Sequence, residues 1–377
     1  MCWRTRSAPS SRMQEHDLPF WLALVRFGEF GPVRLGKLAR RFTSMQAAYN
    51  AGASALMEAG IEPSVVNRFL QERIHLSPED EQQRLEASDA RAVTILDEAY
   101  PPRLKTLFDP PALLFVRGTL PESNRKHLAV VGARRATGYG RDATDLLVPP
   151  LAKAGVVIVS GLAYGIDAHA HHACLEAGGT TVAVLGCGAD HDSIYPSANR
   201  ALASRILAEG GALISEFPPG TPPLKQHFPM RNRIIAGLCD GTLVIEAAIK
   251  SGSLITARAA LEAGREVYAV PGPIHAPLCE GPNNLIKMGA IPATKPSDIL
   301  GMDALEGMET PPSYQPANEE ERAVLPALAS TPRHLDEIIR TTRLPPHTVT
   351  KTVTMLEMKG VIRHDGGQYY SKVVGIR

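Results

Sequence analysis

The sequence predicts an α/β protein built around a Rossmann-like, doubly wound and mostly parallel sheet. Six short, almost entirely apolar runs alternate with segments of helical periodicity between residues 127 and 270. Such strands are typical of a parallel sheet that is buried on both faces. A small helical module precedes this region, and a winged-helix pattern follows it. The predicted strands are His127–Val131, Val156–Val159, Thr181–Leu185, Ala212–Ser215, Gly241–Ile245 and Glu266–Val270.

The length of the chain predicts more than one domain. Single hydrophobic cores stop growing at about 250–300 residues, and this chain has 377. Its 44% hydrophobic and 21% charged residues are ordinary for globular proteins. We predict a helical domain over 14–90, a Rossmann-like domain over 91–300, a linker over 301–318 and a winged-helix domain over 319–377.

Residues 17–75 predict several short helices, which together form a SAM-like or helix-hairpin-helix-like module. Apolar residues recur at helical spacing in Phe20–Leu24 and again at Leu35 and Leu38. The turn Phe30–Gly36 resembles that of a helix-hairpin-helix, whose exposed backbone N–H groups can approach a DNA phosphate. The same turn also fits an ordinary connector between helices, so both interpretations stay open.

Two further patterns complete the predicted fold. In the proline-rich stretch 93–118, the apolar run Leu113–Val116 predicts a strand that leads into the sheet. The tail predicts three helices followed by a two-stranded hairpin, which is the order of a winged helix. The tail segments are 320–329, 335–341, 347–359, 361–363 and 368–371, with the turn at Asp365-Gly366-Gly367.

Charge and cysteine content restrict the function. Lys and Arg number 40 and Asp and Glu 39, a net charge of +1, so any site for a polyanion must be local. The five cysteines include no CxxC pair, which argues against disulfides and zinc and favours a reducing, cytoplasmic location. Neither an apolar leader nor a run of about 18 apolar residues is present, so we expect no membrane association.

The first strand-to-helix turn, Val130–Arg141, predicts an anion site. Gly132 and Gly138 let the backbone approach a phosphate, and the following helix directs unpaired N–H groups towards it. Arg134 and Arg135 add cations in the same turn. The spacing departs from the dinucleotide-binding GxGxxG pattern, and a tight turn with solvated arginines is the alternative.

The second turn repeats the pattern. Ser160, Gly161 and Gly165 follow an apolar strand, and ligands of parallel sheets collect at such carboxyl ends. Three histidines follow at positions 169, 171 and 172, but neighbouring helical residues point in different directions, so we expect no metal site.

The stretch from Ser215 to Leu238 predicts a single-strand groove. A proline-rich loop carries Lys225, Phe228, Arg231 and Arg233. Cations neutralise phosphates and aromatic rings stack on bases. The alternative is that Arg231 and Arg233 form ion pairs inside the protein.

A further strand end offers hydroxyl and backbone groups for phosphate. Lys250, Ser251, Gly252 and Ser253 precede a helix. The Walker pattern GxxxxGK[ST] is absent from the sequence, so we expect no ATP hydrolysis and no cofactor.

These motifs resemble the DprA/Smf family over residues of about 95–300. The resemblance rests on VGARRATGYG, SGLAYGIDAHAH, SEFPPGTPPLKQHFPMRNRIIAGL and EAAIKSGSLITA, followed by Val270-Pro271-Gly272 and Gly281–Ile286. It implies a protein of natural transformation that binds internalised single-stranded DNA and shields it from nucleases. It also implies partners, because such proteins bring RecA recombinase onto the strand and displace single-strand-binding protein.

The resemblance also implies site residues. The basic groove of the family corresponds here to Arg134 and Lys225, with Arg231 and Arg233 beside them. Where the family usually has serine in the first turn, this chain has Ala133. A homodimer is implied through a segment with apolar residues at Leu285, Ile286 and Ile291.

Two other functions remain open. A nucleotide-processing enzyme of the lysine-decarboxylase-like type could use Glu216 or Glu246 as a general base, although no nucleophile or metal ligand accompanies them. A winged-helix transcriptional regulator could read DNA through the tail, where Thr348, Thr350, Lys351 and Lys359 lie on the predicted recognition helix. Release of free base from nucleoside monophosphates would reveal the enzyme, and duplex binding by the tail would reveal the regulator.

Overall fold

The computed structural model describes residues 11–301, 314–329 and 331–372, with side chains described from residue 17 onward. The chain divides into two compact units that meet in sequence between Ile299 and Leu300. Most of the predicted linker, 301–318, lies outside the described residues. Among the described helices, none is both long enough and apolar enough to cross a bilayer.

The first unit is centred on a nine-stranded sheet within the described residues. Its strands are β1 (Arg91–Thr94), β2 (Leu113–Gly118), β3 (His127–Val131), β4 (Val157–Ser160), β5 (Thr181–Leu185), β6 (Ala212–Ser215), β7 (Gly241–Val244), β8 (Glu266–Ala269) and β9 (Ile291–Pro292). They lie in the order β1-β2-β6-β5-β4-β3-β7-β8-β9. Each of the six predicted strands is present to within one residue at either end.

Strands β3 to β9 pair in parallel, while β2 joins β6 and β1 joins β2 in antiparallel fashion. The predicted mostly parallel, doubly wound sheet is therefore confirmed. The chain winds outwards from β3 through β4, β5 and β6, then returns to β7 on the other side of β3. This reversal makes the β3/β7 boundary the topological switch point, where ligands of such sheets bind at the carboxyl ends of the strands.

Both faces of the sheet are buried, as the apolar strands predict. Val184 and Ile214 belong to the core on one face, while the adjacent residues Leu185 and Leu213 belong to the core on the other. This alternation follows from the two-residue period of a strand. The helices after the first parallel strand are α7 (Gly138–Lys153), α8 (Ile166–Glu176), α9 (Arg200–Ala208), α10 (His227–Gly237), α11 (Gly252–Glu262), α12 (Glu280–Lys287) and α13 (Ser297–Leu300).

Six helices precede the sheet within the described residues and form the predicted helical module. Their bounds are α1 (Ser11–Arg26), α2 (Pro32–Arg41), α3 (Met45–Asn50), α4 (Ala53–Glu58), α5 (Pro63–Glu72) and α6 (Pro78–Glu86). The rings of Phe27, Phe30 and Phe69 pack together in its core, with centroids 4.8–5.4 Å apart. Leu22 and Leu85 belong instead to a core on the sheet, so the module packs directly against it.

The second unit has the predicted winged-helix fold. A buried carboxylate holds its third helix to the first: Lys359 Nζ lies 2.6 Å from Glu321 Oε1. This pairing occupies one of the cations that the regulator hypothesis assigned to DNA. The elements are α14 (Glu319–Val324), β10 (Arg333–His334), α15 (Leu335–Thr342), α16 (Pro346–Met358), β11 (Ile362–Gly366) and β12 (Tyr369–Lys372).

Candidate nucleic-acid groove

A groove of about 770 Å³ opens at the carboxyl ends of the strands around the switch point. The turn after β3, the loop before α10 and the turn before α11 all contribute to its walls. Ten of the residues singled out in the sequence line it. They are Gly132, Arg134, Arg135, Lys225, Phe228, Arg231, Lys250, Ser251, Gly252 and Ser253.

The groove concentrates positive charge. Its charged lining residues are Arg134, Arg135, Lys225, Arg231 and Lys250 against the single carboxylate of Asp167, a balance of 5 − 1 = +4. The whole chain carries only +1. Four of these cations, all except Arg231, are exposed. Among the described residues, Arg135, Lys225 and Lys250 have no carboxylate within ion-pair distance, so they are available to neutralise phosphates.

A buried glutamate fixes the first turn. Glu246, 1% exposed at the end of β7, accepts hydrogen bonds from the Thr137 backbone N–H at 3.0 Å and from the Thr137 hydroxyl. The same hydroxyl oxygen accepts from the Gly140 N–H at 3.2 Å and caps α7. Glu246 is therefore not the unpaired general base considered for an enzyme. It anchors the turn from which Arg134 projects.

Aromatic rings form one wall of the groove. The Arg134 guanidinium carbon lies 5.8 Å from the Phe228 ring centroid, within cation–π range. The Tyr195 ring lies 5.8 Å from Phe228 and is 47% exposed. Tyr195 was not predicted because it lies in the loop after β5, 186–199, which carries no lysine or arginine to indicate a site for DNA.

The turn before α11 supplies a helix N-terminus to the groove. Ser251 caps this helix by accepting from the Ser253 N–H at 3.4 Å. Asn232 Nδ2 donates to the Gly252 carbonyl at 3.2 Å and ties the turn to α10. The first backbone N–H groups of an 11-residue helix, with Lys250 exposed beside them, form a suitable environment for an anion.

Two of the predicted glycines, Gly132 and Gly165, have a role in packing. Gly165 has φ +78°, and a Cβ there would lie 2.2 Å from the Ala133 carbonyl oxygen. A Cβ on Gly132 would lie 2.5 Å from Ile166 Cγ1. These contacts show that glycine lets the first two turns pack tightly together, and phosphate access is not needed to explain it.

Five residues of the predicted site are not among the groove-lining residues: Gly138, Ser160, Gly161, Gly165 and Arg233. Ser160 is fully buried, and its hydroxyl donates to the Val130 carbonyl at 2.6 Å. The prediction that Ser160 contacts phosphate is wrong, since its side chain cannot reach solvent.

Arg231 is an internal cation. Its side chain lies on α10, which begins at His227 where the sequence suggested a continuing loop. Arg231 is 4% exposed and donates to the carbonyls of Gly161, at 2.8 Å, and Val184. Burial lowers the pKa of its guanidinium to about 10, and the nearby Asp167 carboxylate opposes that shift. Arg231 is therefore corrected to a residue of the groove floor that joins two strand ends.

Arg233 is also held internally. Its Nη2 donates to both Glu216 carboxylate oxygens at 2.6 Å, and its Nε lies 3.2 Å from Asp109 Oδ2. Arg233 is therefore corrected from a DNA contact to a structural ion pair. The same pairing removes Glu216 as a free general base.

The three residues predicted for a dimer interface differ in how exposed they are. Leu285 is 7% exposed and belongs to the core on the sheet, so it offers little surface to a partner. Ile286 packs partly against that core. Ile291 is 38% exposed on β9, the edge strand of the sheet.

Two of the three histidines on α8 have protein partners. His169 Nε2 lies 2.8 Å from Asp145 Oδ1, and His171 Nδ1 lies 2.7 Å from the Thr181 hydroxyl. In the part of the chain that the structure describes, no three His, Cys, Asp or Glu side chains are grouped so as to hold a metal ion.

Two family models match the chain. That of DNA recombination-mediator protein A matches residues 91–302, and that of the DprA winged-helix domain matches residues 308–368. The first match contains every groove residue described above.

Relatives match with substantial identity. Protein Smf of Escherichia coli is 50% identical over 216 residues, which cover 57% of this chain and 57% of the relative. Protein Smf of Synechocystis is 33% identical over 400 aligned positions, which cover 96% of this chain and the whole of the relative.

Solved structures also match. DNA processing protein A from Streptococcus pneumoniae superposes with a TM-score of 0.66 at 35% identity, covering 75% of this chain and 97% of that one. DNA processing protein A from Helicobacter pylori, a structure that concerns its single-stranded DNA binding mode, gives a TM-score of 0.50 at 29% identity and covers 58% and 98%. The chain therefore belongs to the DNA recombination-mediator protein A family, whose members carry the names DprA and Smf.

Proposed function

We propose that the protein binds single-stranded DNA in the groove at the β3/β7 switch point and acts there as a recombination mediator. The observation that carries the proposal is the charge of +4 among the groove residues in a chain whose net charge is only +1. The single-stranded DNA binding of the Helicobacter pylori relative supports it. No catalytic step is part of the proposed function.

The chemistry of the groove suits a single strand. Arg134, Arg135, Lys225 and Lys250 supply exposed cations for successive phosphates. The rings of Phe228 and Tyr195 offer apolar faces on which unpaired bases can stack, and such stacking contributes about 1–3 kcal/mol per base. Bases within a duplex are already stacked on each other and cannot use these rings.

The proposal extends to the partners that the family resemblance implies. We infer that the protein shields internalised strands in the cytoplasm, displaces single-strand-binding protein and loads RecA. Membership in a family of recombination mediators supports this extension. RecA assembly on strands coated with single-strand-binding protein should accelerate when the protein is added, and an unchanged rate would contradict it.

We also propose a homodimer through the β9 edge of the sheet. Ile291 is 38% exposed there, and Met288, just before this strand, is 74% exposed. A two-fold symmetric dimer would let two grooves bind the same DNA strand, which raises the avidity of binding. Light scattering at micromolar concentration should show a dimer, and a monomer would contradict this part of the proposal.

The experiment that tests the central proposal is an equilibrium titration with a thymidine strand and with a duplex of equal length. If each of the four exposed cations neutralises one phosphate, the logarithm of the affinity should fall with the logarithm of salt at a slope of about −2.8, or 4 × −0.7. Between about 50 and 200 mM salt this slope corresponds to a loss of about 50-fold. Equal or tighter binding of the duplex by the full chain would contradict the assignment of the groove to single strands.

A further inference from the structure

The loop that carries Lys225 has few backbone groups with which to fix itself. Residues 218, 219, 222 and 223 are prolines, and proline has no N–H to donate. Between Ser215 and His227 the chain forms neither helix nor strand. The backbone hydrogen bonds on either side of Lys225 are local, from the Leu224 N–H to the Pro222 carbonyl and from the His227 N–H to the Leu224 carbonyl, each at 3.0 Å. The placement of the loop against the rest of the groove therefore depends on contacts from other parts of the protein.

One set of contacts comes from the loop after β5. The Gly220 N–H donates to Asp190 Oδ1 at 2.7 Å, and the Gly188 N–H donates to the Thr221 carbonyl at 2.9 Å. Within the loop, the Thr221 N–H donates to the Pro218 carbonyl at 3.1 Å. These bonds hold the turn 218–221 to the loop after β5.

A second contact comes from the helical module. Arg26, the last residue of α1, donates from Nη2 to the Pro219 carbonyl at 2.8 Å. Its Nε donates to Glu81 Oε2 at 2.7 Å. The Glu81 side chain on α6 is only 4% exposed, so the guanidinium is oriented by a buried carboxylate. Arg26 thus connects the helical module to the loop of the DNA groove.

We propose that Arg26 is a positioning residue for DNA binding, through which the helical module holds the loop so that Lys225 is ready to meet a phosphate. This inference rests on the proposed binding of single-stranded DNA in the groove. Arg26 itself is not among the groove-lining residues, so it acts through the loop. Ordering a mobile loop during binding lowers affinity, and fixing it beforehand removes that cost.

The test compares the full-length variants Arg26→Met and Arg34→Met. Arg34 is a control with the same bonding pattern, because it also donates from Nε to a glutamate, Glu62 at 2.8 Å, and from Nη1 to a carbonyl, Glu29 at 2.8 Å, while Glu62 is more exposed than Glu81. Arg34, Glu62 and Glu29 all lie within the helical module, so this control changes no contact with the loop that carries Lys225. We expect Arg26→Met to weaken binding of a thymidine strand about tenfold, since a loop must then be ordered on binding. Arg34→Met should bind as the wild type does.

Two further readouts separate positioning from a general structural role. The salt slope of Arg26→Met should equal that of the wild type, because the bound state keeps all its phosphate contacts, whereas Lys225→Ala should lower the slope by about 0.7. In the Lys225→Ala background, adding Arg26→Met should cost less than about twofold, because the residue that it positions is gone. If Arg26→Met fails to fold, Arg26→Lys keeps a cation beside Glu81 without the planar fork and is put through the same cycle.

The outcomes distinguish this inference from the proposed function. Wild-type affinity in the Arg26 variant, or an equal loss in both backgrounds, would overturn the positioning role while leaving the groove in place. If the wild type does not bind the thymidine strand, or if Lys225→Ala leaves the affinity unchanged, the proposed function on which the inference depends is overturned instead.

Discussion

A variant that carries both Arg134→Ala and Lys225→Ala should bind single-stranded DNA at least about 100-fold more weakly than the wild type, since each charged hydrogen bond to phosphate contributes about 1.5–3 kcal/mol and the two together contribute about 3 kcal/mol or more. The salt slope should fall by about 1.4, or 2 × 0.7. Both side chains are exposed on the groove, so thermal stability should change little. Fluorescence anisotropy of a labelled thymidine strand at several salt concentrations measures both quantities.

The matched control for this experiment is Arg205→Ala with Arg258→Ala. It removes the same total charge from two surface ion pairs, with Glu209 and Glu262, that do not line the groove. The control should bind DNA nearly as the wild type does. Equal losses in the two double variants would show that net charge alone, and not this groove, determines the affinity.

The Arg231→Met variant should lose about 3–5 kcal/mol of unfolding free energy, because it removes one member of a buried pair of charges. A Cβ on Gly161 would lie 2.7 Å from both Arg231 Nη2 and Asp167 Oδ2, so the two charged groups approach the same point beside Gly161. The variant also loses the hydrogen bonds to the Gly161 and Val184 carbonyls. Urea unfolding measures the loss, with Arg205→Met, at a partly exposed surface arginine, as the control expected to change little.

The loss in Arg231→Met should depend on pH in a defined direction. Burial raises the pKa of Asp167, and Arg231 opposes that shift in the wild type. Without Arg231 the pKa of Asp167 in the folded state rises further. Between the unfolded and folded pKa values of this carboxyl group, the folded state therefore binds more protons than the unfolded state. Stability of the variant should then fall as pH rises above the unfolded value of about 3.9, until Asp167 ionises in the folded state.

A second substitution tests the cause of this loss. Adding Asp167→Asn to Arg231→Met removes the unpaired carboxyl group and should restore part of the stability and abolish the pH dependence. Wild-type stability in Arg231→Met, together with weak DNA binding, would show that Arg231 is a direct DNA contact after all.

The centre of the fold could be predicted because its signals are local. An apolar run such as Thr181–Leu185 needs both faces buried, and the strand has those bounds. The edge strands β1 and β9 were not predicted because they are short and form only by pairing with distant segments. Strand β1 pairs with Leu113–Val116, and β9 pairs with Tyr268 and Ala269. The packing of the helical module against the sheet likewise depends on contacts between distant residues.

The candidate site was predictable in part for the same reason. The sequence places arginines at 134, 231 and 233 in promising motifs, but it does not show which of them reach solvent. Arg134 lies in an exposed turn, while Arg231 and Arg233 lie on α10 and point towards carbonyl and carboxylate groups from other strand ends. Helix α10 begins at His227, so Arg231 and Arg233 lie on a helix and not in the proline-rich loop. Their side chains therefore make structural contacts instead of the predicted contacts with DNA.

Photocross-linking with a thymidine strand that contains iododeoxyuridine tests the central claim most directly. Stacking of bases on the exposed aromatic wall of the groove should place the cross-links in peptides that contain Phe228 or Tyr195. The yield should fall in the Arg134→Ala and Lys225→Ala double variant. Cross-links confined to the winged-helix residues 319–372 would contradict the account, because they would place the single-strand site outside the groove.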